Sequence, residues 1–228
     1  MSKFQRPGAK PASAPAPKAP AAPTSKYKKS REVQVGVEGN YQRPGRYLLL
    51  IQRIEEGQNR TKEQFVSVRS VVLVSDGSER TPLEVKFGGS VHRVGEEVSW
   101  FQKLAGDFFD QNMLKFAIAA SNMTQDEIAE REDETGSTIV DDMVSAEQPL
   151  AGVAVEAHVQ TRIKKAGKDA MKGGLKEEDL KAEHVTTVTN WVCRLPYAEV
   201  KELVPADVLE AYLPDIDEKI AEENTPAE

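Results

Sequence analysis

Between Leu150 and Ile163 apolar and polar residues alternate, and a period of two is the signature of a half-buried strand. Ala151, Val153, Val155, Ala157, Val159 and Ile163 share one face, and Ala154, Glu156, His158, Gln160 and Arg162 the other. A second extended segment, His184–Leu195, follows a basic connection that carries Lys164, Lys165, Lys168, Lys172 and Lys176 among glycines. Two strands joined in this way predict a hairpin whose long, mobile, lysine-studded loop reaches toward something negative.

The net charge of −7 over 228 residues argues against a polyanionic partner only if the charge is spread evenly, and it is not. Residues 1–31 carry eight Lys/Arg and no acid, residues 124–148 nine acids against Arg131, and residues 197–228 ten acids against two lysines. Subtracting +8, −8 and −8 from −7 leaves +1 for the rest, an almost neutral body between a basic arm and acidic segments. Cys193 is the one cysteine, which excludes an internal disulfide and a cysteine-based zinc site. No apolar run approaches the roughly 20 residues of a membrane span.

The Pro/Ala/Lys-rich arm 1–31 has no periodic apolar face and is expected to be disordered. After the turn Arg43-Pro44-Gly45, a first strand is predicted over Gly45–Glu56; its central apolar run implies that both faces are covered or that a bulge switches the face midway. A polar, flexible connection, Gly57–Lys62, leads to a second strand, Phe65–Ser75, with Val66, Val68, Val72 and Val74 on one face and Phe65, Ser67 and Arg69 on the other. Leu83–Phe87 reads as a short extra strand and Val94–Gln102 as the third main one, with Phe101 opposite Trp100. A helix from an Asp107 N-cap follows, on the spacing of Phe109, Met113, Phe116, Ala117 and Ala120. The capping box Thr124–Glu127 starts a short acidic helix, and residues 132–148 read as a mobile acidic excursion. Beyond Pro196, short helices are expected over Tyr197–Leu203 and Pro205–Leu213, then a disordered acidic tail, 214–228.

Three strands, one helix and two strands is the order of the OB-fold, a partly open five-stranded barrel that grips its ligand on strands 2 and 3 and in the loops after strands 1 and 4. The expected fold is therefore mainly β: an OB-like barrel over 32–196, with one helix between strands 3 and 4. On that frame the two loops carry Arg60 and Lys62, and Lys164, Lys165, Lys168, Lys172 and Lys176, with Arg162 a further candidate on the strand that leads into the second. Phe65, Arg69 and Phe101 stand between them as stacking and phosphate-binding candidates, with Trp191 a further candidate whose direction the weak alternation of its strand leaves open.

The motif Pro44-Gly45-Arg46-Tyr47 with Ile51 and Ile54, the strand Phe65–Leu73, the segment Val94-Gly95-Glu96-Glu97-Val98-Ser99-Trp100, the helix Phe108–Ala120 and the acidic C-terminus are similar to those of the single-stranded-DNA-binding proteins of tailed bacteriophages. The likeness covers residues 44–195 and the tail. It implies an OB-fold protein that binds single-stranded DNA without sequence preference during phage replication and recombination. The implied location is the cytoplasm of the bacterial host. It also implies replication or recombination partners met through the acidic tail, while a homodimer stays open. Such tails commonly end in an aromatic or hydrophobic residue, and this one ends Thr225-Pro226-Ala227-Glu228, which sets recruitment through the last residue in doubt. The internal acidic segments would instead mimic nucleic acid and compete for the basic groove.

An enzyme finds little support. His92, His158 and His184 lack metal-ligand spacing, and no nucleophile elbow, phosphate loop or carboxylate pair is present. No catalytic residue, metal or cofactor is expected. A phage structural or host-interaction protein using the same barrel as a protein-binding module is the alternative.

Overall fold

The structure, a computed structural model, describes residues 41–225; residues 1–40, with the basic arm 1–31 among them, and the last three residues lie outside the described part. Five antiparallel strands form one sheet: β1 (Gly45–Gln58), β2 (Gln64–Asp76), β3 (Glu97–Lys103), β4 (Ala154–Ile163) and β5 (Val185–Arg194), in the spatial order β3-β2-β1-β4-β5. β1 pairs with β2 along its length and with β4 through Gly45–Leu50, so its first half has strands on both sides. Its apolar run is continuous because both faces are covered there, Tyr47 and Leu49 packing on one and Leu48 and Leu50 on the other. Two register shifts against β2 redirect the side chains: Leu73 is extra between the pairs Leu48–Val74 and Leu49–Val72, and Gln52 is extra between Ile51–Ser70 and Arg53–Arg69.

One face is packed throughout. Tyr47, Leu49, Val72, Val98, Ala157 and Val159 fill its first half, and Ile51, Ile54, Val66, Val68 and Trp100 continue it under α2 (Phe109–Ser121). Trp100 on β3 and Trp191 on β5 meet at a centroid distance of 5.4 Å, and Phe116 of α2 lies 4.8 Å from Trp191. In a flat sheet the two edge strands would stand about 19 Å apart, four strand spacings. The contact therefore requires the sheet to curl until its edges meet through side chains.

The expectation of a mainly β closed barrel is corrected on two counts. No ladder joins β3 to β5 among the described residues, and eight α-helices accompany the sheet, making the protein mixed α/β. Three of them, α2, α3 (Gln125–Thr135) and α4 (Ile139–Val144), fill the single-helix position between the third and fourth strands. The acidic excursion is accordingly ordered. Thr124 caps α3 with Glu127, Thr138 caps α4 with Asp141, Ile128 and Met143 are buried, and the Gln148 side chain bonds both Ile54 N and Ile54 O at 2.7 and 2.8 Å. The expected strand at Leu83–Phe87 is a helix, α1 (Pro82–Gly88), because Thr81 and Glu84 form a capping box around an N-terminal proline. The first residue of α2 follows Phe108, with no side-chain cap from Asp107.

The lysine-rich connection is folded too. It forms α5 (Lys165–Lys172) and two 3-10 turns, Glu177–Asp179 and Ala182–His184. Leu180 and Val185 are buried with Leu83 of α1, and Ile163, Met171, Leu175 and Phe87 close around them. Lys86 Nζ donates to Glu178 O and Leu180 O at 2.5 and 2.9 Å. On the sheet's other face α6 (Tyr197–Leu203), α7 (Ala206–Tyr212) and α8 (Ile216–Glu223) cover Leu48, Leu50, Leu73 and Ala154. Thus α8 occupies most of the segment expected to be a disordered tail. Among the described residues no helix is long and apolar enough to cross a membrane.

Phe116 is fully buried where α2 meets both edge strands. Phe116→Ala should lower the unfolding free energy by about 3–5 kcal/mol, read from urea denaturation midpoints.

Candidate nucleic-acid interface

Beyond the Gln52 bulge the outward face of the sheet leaves the cover of the C-terminal helices. Register aligns three cross-strand rows there: Arg53–Arg69–Ser99, Glu55–Ser67–Phe101 and Gly57–Phe65–Lys103. Phe65 and Phe101 pack edge to face at 5.4 Å, and Tyr41, bridged to Ser99 of β3, adds a third ring 5.6 Å from Phe101. Exposure grades along the three: Phe65 is buried at 8%, Phe101 is half-buried and Tyr41 stands 73% exposed. Phe65 is pinned because its ring lies across Gly57, where an added Cβ would sit 2.6 Å from Cζ. It supports Phe101 from below and cannot offer a flat face, so Phe101 and Tyr41, and not Phe65, are the accessible rings of the three.

The charges around the rings are partly matched. Arg69 and Arg53 share the Glu55 carboxylate at 2.6 and 3.3 Å, and Lys103 meets Glu63 at 2.8 Å. The lysine bond, followed by bonds from Asn59 and Thr61, holds the Glu63 carboxyl below the usual range. Three cations against two carboxylates leave the patch positive. All five are exposed or partly so, and such pairs are worth about 0–1 kcal/mol each, little enough for a phosphate to compete.

The connection from β1 to β2 is tightly bonded rather than flexible. Asn59 Oδ1 accepts from Thr61 N, Thr61 Oγ1 and Glu63 N at 2.9, 2.7 and 2.9 Å, and Lys62 takes a left-handed φ of 63°. Arg60 and Lys62 are held at its tip, exposed and without an ion pair among the described residues.

Tyr41 is positioned by its neighbours in sequence. Arg43 N donates to Nε2 of the buried His92 at 3.0 Å, the Tyr41 carbonyl oxygen lies 3.1 Å from the same nitrogen, and Nδ1 faces Glu96 Oε1 at 2.9 Å. The backbone N–H of Arg93 foremost, then His92, hold the Glu96 carboxyl below its ordinary value. Gln42 Oε1 accepts from Thr189 Oγ1 of β5 at 2.5 Å. Residues 41–42 therefore touch both edge strands.

Compared with known proteins, the chain matches no family model and no curated sequence. Its surface is therefore read from geometry alone.

The remaining candidates are dispersed. Gly45 of β1 pairs with Val159 of β4, so the β4–β5 connection lies beyond the start of β1, at the opposite end from Arg60 and Lys62. Phe65 stands near the other end of β2, roughly 36 Å along the strand from Asp76 at the usual rise. Lys164, Lys165 and Lys168 are exposed without ion pairs among the described residues, and Lys172 lies 3.8 Å from Asp169, but these lysines flank the sheet and do not face Phe65. Arg162 ends β4 on the outward side, and Trp191 turns inward to Trp100 and Phe116. His158 pairs with Asn190 and not with His184, so no histidine pair forms across the hairpin. The Cys193 thiol is pushed up by burial, then by Glu156 and Glu199.

Tyr41, Arg53 and Lys103 are additions that sequence reasoning passed over. Arg53 and Lys103 were legible in principle, since each lies within a recognised strand or two residues from a recognised outward neighbour; the Tyr41 bridge to a strand 58 positions away was not. Gly57→Ala should force the Phe65 ring off its seat and shift the Phe101 ring resonances, while lowering stability by about 1–3 kcal/mol.

Proposed function

We propose that the protein binds single-stranded DNA, without sequence preference, on the outward face of β1–β3. The observation that carries the reading is an uncovered strand face with two accessible rings, Phe101 and Tyr41, bordered by Arg53, Arg69 and Lys103. Bases stack on such rings whatever their identity, at about 1–3 kcal/mol each, and the cations attract the backbone. The strand order β3-β2-β1-β4-β5 supports an OB-like barrel opened between β3 and β5 and elaborated by helices, with the loops bearing Arg60 and Lys164 at its two ends. The likeness to phage single-stranded-DNA-binding proteins extends the proposal to protecting and organising DNA in phage replication and recombination, within the host cytoplasm.

Competition by the acidic tail takes a narrower form. Glu223 is engaged with Arg194 Nη2 at 2.6 Å and Tyr197 N at 2.8 Å, and Ile216 is buried, so α8 is part of the fold and not a free mimic of nucleic acid.

Fluorescence anisotropy with a labelled oligothymidylate tests the reading. Phe101→Ala should weaken binding by about 1–3 kcal/mol, several-fold to a hundredfold. Replacing Arg53 and Arg69 with Ala should flatten the log–log salt dependence by about 1.4, at ~0.7 per phosphate contact. Undetectable binding by the wild type at low salt, or full affinity in Phe101→Ala, would overturn the proposal.

A further inference from the structure

The groove along the free edge of β5 has no part in the outward face, yet it is open to it. A recess of about 200 Å³ begins at Tyr41 and Phe101 and runs between Gln102 of β3 and Thr189 of β5. A groove of about 680 Å³ continues it between α2 and β5, and the two share Trp100, Asn112, Val188 and Thr189 as walls. The two recesses therefore adjoin, on either side of the Gln42–Thr189 hydrogen bond and the Trp100–Trp191 contact that span the edge strands.

The lining of that groove is unlike an ordinary helix–strand junction. Phe108 is 65% exposed at its mouth and Val192 51% exposed, although nothing in a closed core would leave them so. Its two charged residues are both cations, Lys115 and Arg162, and no carboxylate lines either recess among the described residues, on a chain whose net charge is −7. Lys115 has no ion pair among the described residues, and the hydrogen bond of Arg162 to Asn190 Oδ1 is 3.5 Å long. The buried Trp191 Nε1 has no acceptor among them either. Asn112 and Asn190 also line the groove, their amides donating to Gln102 Oε1 at 2.7 Å and Gln160 Oε1 at 3.1 Å.

We infer that single-stranded DNA does not stop at the outward face but passes over Tyr41 and Gln42, and that the groove between α2 and β5 holds its next nucleotides. Phe108 takes a base, and Lys115 and Arg162 take phosphates. The inference rests on the single-strand reading above and makes a separate claim: the site is longer than the aromatic face and wraps the open edge of the sheet.

Oligothymidylates of two lengths separate the claims, one of about 4 nucleotides and one of about 16, the range that single OB domains cover. The variant Phe108→Ala/Lys115→Ala/Arg162→Ala changes only exposed side chains. It should bind the short oligonucleotide as the wild type does, which doubles as a check that the fold is intact, and lose about tenfold or more on the long one. Its salt slope on the long oligonucleotide should fall by about 1.4, two phosphate contacts at ~0.7 each. Unchanged affinity and slope on the long oligonucleotide, with Phe101→Ala still weakening both lengths, would overturn the groove and leave the face standing. An equal loss at both lengths would overturn it as well, and failure of the wild type to bind either would overturn face and groove together.

Discussion

The contact of Trp100, Phe116 and Trp191 is the constraint on which the arrangement depends. It joins the two edges of the sheet through side chains, with α2 as the wedge beneath them. A backbone ladder would close the same gap at a fixed strand spacing of about 4.8 Å and would leave no room for a ligand. Indole rings instead bring the edges together on the inward side and leave the backbone edges apart on the outward side. Tyr41 and Gln42 partly fill that gap, which also blunts the exposed edges against pairing with other chains.

Curling alone does not make an interface. The division of the outward face does, and it follows from two extra residues. Gln52 switches the alternation of β1, so that Leu48 and Leu50 point outward beneath α6–α8 while Arg53 and Glu55 point outward into solvent, and Leu73 switches that of β2, so that it and Val74 both pack with Leu48 and Leu50. Below the second bulge the face needs no apolar cover, and its rings are held by neighbours within the sheet. Glycine opposite Phe65 is the sharpest instance: only the missing Cβ at Gly57 lets the ring lie down and brace Phe101.

How far this was legible in the sequence depends on the range of the interactions. β4 and β5, α6, the Thr124 capping box and the outward direction of Phe101 could all be read, because alternation and capping act over a few residues. The α1 helix could have been read from Thr81-Pro82-Leu83-Glu84, where a local capping box outweighs the extended look of Leu83–Phe87. The folding of the lysine-rich connection could not. Met171, Leu175 and Leu180 have no periodic face of their own, and the cluster they join with Ile163 and Val185 is completed by Leu83 and Phe87, some 90 positions earlier. Trp191 was ambiguous for a similar reason, since the β4–β5 register shifts between Val155 and Ala157, next to it.

The same geometry bears on how a chain with an excess of acid would attract the polyanion proposed as its ligand. The acids of α3 and α4 lie beyond α2, on the inward side, with the sheet between them and Phe101. A helix layer packs about 10 Å from a sheet, already as much as the screening length of roughly 8 Å at physiological salt. Acids of α8 are drawn into pairs, Glu223 with Arg194 and Asp217 with Lys201. The carboxylates nearest the rings, Glu55 and Glu63, are each matched by a cation in contact, and Glu55 by two. Under the proposed function, an approaching strand would therefore meet a local field of the opposite sign to the net charge. Its attraction should weaken steeply as salt rises, because only contacts inside the screening length contribute.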